Sequence, residues 1–116
     1  MNVEKFYQEI NGDLNKTISR LGSKEFVEQF VLEFMDDKTF DNLCISYNNN
    51  DVENSFLYVH TLKGICANLG LSGLYNASSL LTEVLRKKTF DDSKELYDEV
   101  ISEYNKIKIA SKKAIE

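Results

Sequence analysis

Apolar residues recur at spacings of three and four along most of the chain, and the two-residue alternation of a half-buried strand is weak throughout. Val3, Phe6, Tyr7, Ile10, Leu14, Ile18 and Leu21 keep helical spacing across an interruption at Asn11-Gly12-Asp13, which predicts one broken helix or two short ones. Leu21-Gly22-Ser23 stops that segment. Ser23 then caps a helix carrying Phe26, Val27, Phe30, Val31 and Phe34 on one strongly apolar side. Asp36-Asp37-Lys38-Thr39 kinks or restarts the helix, with Thr39 as the cap before Phe40, Leu43 and Tyr47. Asp51 is an N-cap and Glu53 suits the first turn of a helix that runs to Leu69, where Gly70 supplies a left-handed C-terminal cap. Ser72 caps the next helix, with Leu74, Ala77, Leu81, Val84 and Leu85 inward. The last begins after Asp91 or Asp92, carries Leu96, Val100, Ile101, Tyr104 and Ile107 at three-to-four spacing, and places Lys106, Lys108, Lys112 and Lys113 toward its negative end. The expected fold is all-α: an antiparallel four-helix bundle over about residues 23–115, with one or two short N-terminal helices across or beside it.

Composition narrows the picture. With 116 residues, 42% hydrophobic and 28% charged, the chain has the size and balance of a single soluble domain, residues 1–116. Its net charge of -5 argues against nucleic acid and anionic membrane surfaces as partners. No apolar run approaches the length of a membrane span and Met1-Asn2-Val3-Glu4-Lys5 does not read as a secretory leader, so a cytoplasmic protein is expected. Cys44 and Cys66 form no metal-binding or redox pair pattern and are expected to be reduced, Cys66 in the core.

The chemistry concentrates on the predicted helix from Asp51 to Leu69. Tyr58, Val59, Leu62, Ile65, Cys66 and Leu69 share one apolar arc, whereas Phe56, His60, Lys63, Gly64 and Ala67 share another. His60, the only histidine, therefore points away from the core. A lone exposed histidine is commonly incidental, but here its neighbours matter. Lys63 sets a cation one turn along, suited to a phosphoryl group on the imidazole. Gly64 costs the helix roughly 0.5 to 1 kcal/mol relative to alanine. Close helix packing is one reason to accept that cost; space beside the imidazole is the other. Phe56 and Ala67 would offer apolar contact to a docking protein, although Phe56 could instead tuck against a neighbouring helix.

The run His60-Thr61-Leu62-Lys63-Gly64-Ile65-Cys66-Ala67-Asn68-Leu69-Gly70 resembles the signature of histidine-phosphotransfer (HPt) domains. Asp51, the aromatic-rich stretch from Phe26 to Phe34, and Leu80, Leu81, Leu85 and Arg86 extend the likeness more loosely. The resemblance implies a phosphocarrier, not an enzyme in its own right: His60 is phosphorylated, Lys63 steadies the phosphoryl group and Gly64 gives it room. It implies response-regulator receiver domains and a hybrid sensor histidine kinase as partners, with magnesium held by the receiver and no cofactor on this chain, which is expected to be a monomer. Asn50 stands where many members carry glycine, and asparagine also tolerates left-handed geometry. Two other readings are a helical adaptor that binds receivers or other signalling partners without relaying phosphate, and a metal site, for which one histidine furnishes too few ligands.

Overall fold

The computed structural model describes residues 1–115, and every regular element among them is an α-helix. These are α1 (Val3–Glu9), α2 (Leu14–Leu21), α3 (Lys24–Asp36), α4 (Thr39–Asn48), α5 (Val52–Leu69), α6 (Ser72–Leu85) and α7 (Lys94–Ile115). Polar caps set several of the starts. Asn2, Asp13, Ser23 and Asp51 each accept a hydrogen bond from a backbone N–H in the first turn of the helix that follows.

Two expected caps are displaced by one residue. Thr39 and Ser72 are the first residues of α4 and α6, and the cap positions belong to Lys38 and Leu71, neither of which makes a side-chain cap bond. At α4, Asp37 acts from outside the helix, its Oδ1 accepting from the Thr39 N–H at 2.7 Å. Asp37 itself is extended (φ -72°, ψ 144°), so α3 ends there and α4 is a restart, not a kinked continuation.

The bundle proper consists of α4 to α7. Short turns join α4 to α5 and α5 to α6, which makes them antiparallel neighbours. The ring closes through aromatic stacking: Phe40 lies on Tyr104 and Tyr47 on Tyr97, each with centroids 3.8 Å apart, an antiparallel pairing of α4 with α7. Leu43, Val59, Leu62, Leu74, Leu81, Leu85 and Val100 are fully enclosed between them. Helix α3 packs against this core through Val27, Val31 and Phe34, the last set edge-on to Tyr104. Helix α1 joins α7 to α3, and α2 lies against α3 and α5.

The α3 face departs from expectation. Val27, Val31 and Phe34 are buried, but Phe26 is 51% and Phe30 37% exposed. The core covers only the stripe of Val27, Val31 and Phe34, and the adjoining stripe of Phe26 and Phe30 stays at the surface. Cys44 and Cys66 are free thiols; Cys66 is buried, and burial pushes its thiol well above the ordinary cysteine range.

Candidate functional site

Helix α5 is anchored at both ends before any chemistry is considered. At its start Asn50 takes φ +59°, and the Asp51 carboxylate accepts from the Asn54 N–H at 3.1 Å and from Asn54 Nδ2 at 2.7 Å. One turn in, the hydroxyls of Ser46 and Ser55 meet at 2.9 Å and tie α4 to α5.

The far end is more elaborate. The last carbonyls of a helix have no partner within it and carry the negative end of its dipole. Here Arg20 of α2 donates from Nη2 to the carbonyls of Ala67 and Asn68 at 3.0 and 3.1 Å, and from Nε to Asn68 at 3.2 Å. The Tyr7 hydroxyl donates to the Leu69 carbonyl at 2.6 Å. Leu71 N–H reaches back to Cys66 at 3.0 Å, closing a Schellman turn around Gly70 at φ +66°. The Tyr7 phenol is buried, and burial raises its pKa to about 12 against smaller opposing effects of Thr17 and Arg20.

Between these anchors the outward face is open. His60, Gly64 and Ala67 are exposed, while Val59, Leu62, Cys66 and Leu69 fill the core, and Tyr58 and Ile65 sit half-buried at the margins. A Cβ placed on Gly64 would meet no atom within 4 Å. Helix packing therefore does not require a glycine there. Leu57, 56% exposed, lies on the same outward face and was not singled out by periodicity alone.

Toward α6 the site is charged. Phe56 is half-buried and its ring stacks on the His60 imidazole, centroids 5.8 Å apart at 19°. The Arg86 guanidinium covers Phe56 at 5.1 Å and donates to both carboxylate oxygens of Glu83 at 3.3 Å. The Arg86 hydrogen bonds and charge hold the Glu83 carboxyl below the usual range, with Lys63 and His60 adding smaller effects in the same direction. Phe56 thus leans toward α6, and less of it is free for a partner than its place on the outward arc implies. Lys63 is half-buried on this side.

Toward α3 lies a groove of about 710 Å³. Phe30, Phe34, Ile65 and Leu69 supply its apolar walls, Gly64 and Ala67 its α5 edge, and Arg20, Glu33, Asp37 and Asn68 its polar lining. The site thus joins His60, Lys63, Gly64 and Ala67 of α5 to Glu83 of α6 and Arg86 at its C-terminal cap, and to Phe30 of α3. Among the described residues no group of three or more His, Cys, Asp or Glu side chains is placed to hold a metal ion.

Residues 25–110 match the family model of the Hpt domain. The chain belongs to the Hpt domain family. Hpt domains are phosphotransfer modules of phosphorelays: they interact with receiver domains and kinases and carry phosphoryl groups, as opposed to acting as kinases or phosphatases. No curated protein and no solved structure gave a match. The Hpt match takes in nearly all of α3, the whole of α4 to α6 and α7 as far as Ala110, and it leaves α1 and α2, which grip the end of α5, outside. No helix among the described residues is long and apolar enough to cross a membrane.

Proposed function

We propose that this Hpt domain accepts a phosphoryl group on His60 from the aspartyl phosphate of a receiver domain and passes it to the aspartate of another. The exposed imidazole beside the open space at Gly64, on a helix fixed at both ends, is the observation that carries this reading. In the forward step the neutral imidazole attacks phosphorus in line through Nε2, its Nδ1 keeping its proton. An N–P bond forms as the acyl phosphate O–P bond breaks, and the aspartate leaves with the electron pair. Onward transfer reverses these roles at a second receiver.

Lys63 supplies positive charge to the phosphoryl oxygens, and Gly64 leaves room for them and for the surface that delivers them. Phe56 and Ala67 add apolar contact, together with Leu57 and Phe30. Magnesium belongs to the receiver's side of the reaction, and this chain contributes the nucleophile and its positioning. A hybrid sensor histidine kinase is the upstream partner and a response regulator the downstream one. The reading puts the protein in the cytoplasm with them, as a monomer.

Incubation with a phosphorylated receiver domain tests this directly. The wild-type protein is expected to acquire an acid-labile, base-stable label and His60→Gln none. Absence of label from the wild type, or label on His60→Gln, overturns the relay; receiver binding without label would instead favour an adaptor. Gly64→Leu is expected to keep the helix and slow transfer, since its side chain would stand in the open space beside the imidazole.

A further inference from the structure

Glu83 is a carboxylate bound into the cationic side of the site, and phosphate transfer gives it no role. It accepts two hydrogen bonds from Arg86, the guanidinium of Arg86 lies over Phe56, and the Phe56 ring stacks on the imidazole of His60. Both members of the ion pair are largely solvated, with side chains 51% and 61% exposed, so their contact is exchangeable and not a fixed structural link. The field of Lys63 and His60 also reaches the Glu83 carboxyl. Before phosphorylation a carboxylate is therefore already paired with the Arg86 guanidinium on the Lys63 side of the site.

We propose that Glu83 is a resident anion that holds Arg86 over Phe56, the ring stacked on His60, and yields it to the phosphoryl group once His60 is phosphorylated. This rests on the phosphotransfer reading of His60 and adds to it a residue that sets the phosphoryl equilibrium. A phosphoryl group brings a charge of about -1.5 to -2 and three acceptor oxygens, and it competes with a single carboxylate for the same guanidinium. Two anions sharing one set of cations also repel. Glu83 accordingly limits how long the phosphoryl group stays on His60, favouring onward transfer; Arg86 has the opposite effect.

Glu83→Gln tests this, because an exposed, nearly isosteric change leaves the helix intact. Phosphoramidate phosphorylates histidine without a protein partner, so the lifetime of phosphorylated His60 can be followed by phosphorus NMR independently of any receiver. The expected result is a lifetime about two- to fivefold longer in Glu83→Gln, the range that an exposed ion pair supports. Arg86→Gln should shorten it, and Glu83→Asp should restore wild-type behaviour. With a phosphorylated receiver as donor, the Glu83→Gln equilibrium should shift toward His60 by a similar factor. The Arg86 Nε–H signal should move on phosphorylation of the wild type. An unchanged lifetime in Glu83→Gln, or an Arg86 signal indifferent to phosphorylation, overturns the proposal. Failure of receiver-dependent labelling with a normal response to phosphoramidate overturns the relay instead.

Discussion

Gly64 and Gly70 belong to the same histidine-bearing segment, yet the fold treats them in opposite ways. Gly70 sits at φ +66°, and a Cβ there would overlap the Thr17 hydroxyl and stand 3.0 Å from the Asp13 carbonyl. Gly64 has ordinary helical geometry, and a Cβ there would touch nothing. Architecture accounts for the first glycine and not for the second. Packing within the molecule explains the glycine at the end of α5, where stability is built, and does not explain the one in its middle, where the proposed phosphotransfer gives it a use.

Substitutions sharpen that contrast. Gly70→Ala combines left-handed strain with a clash and should destabilise the protein by about 2 kcal/mol or more, read as a lower urea midpoint at unchanged slope. Tyr7→Phe removes the donor to the Leu69 carbonyl and should cost about 1 kcal/mol. Tyr7 also carries a pH signature. Its folded pKa lies above its unfolded value of 10, so the folded state binds the extra proton, and the associated stability is present below pH 10 and lost as pH rises toward 12. Tyr7→Phe should lose less stability across that window. The smallest effect has the opposite sign: Gly64→Ala should stabilise the protein by roughly 0.5 to 1 kcal/mol. A fall in melting temperature for Gly64→Ala would erase the distinction between the two glycines.

Much of this was legible in the sequence, for reasons that also mark where legibility stops. Ser23, Asp51 and Gly70 are read correctly because each acts on backbone within one turn of itself. Val59, Leu62, Cys66 and Leu69 follow from a period that has only one way to face the core. Phe26 and Phe30 do not, because periodicity orders the stripes of a helix relative to one another without saying which stripe a neighbour will cover. Thr39 and Ser72 look like caps, but Asp37 and the Schellman turn ending at Leu71 fix those starts by contacts that a local motif does not contain. At the site, His60, Lys63 and Gly64 share a face by spacing alone. Glu83 lies on another helix and Arg86 caps its end, and only the packing of α6 on α5 brings them near.

The anchoring of α5 at both ends has a consequence for association rates and entropies. A partner that docks on the outward face meets backbone already held by Asp51 at one end and by Arg20 and Tyr7 at the other. Little ordering of the helix remains to oppose binding, so even a modest contact area can produce useful affinity, and release need not wait for the helix to refold. A rigid platform of this kind favours brief, repeated encounters.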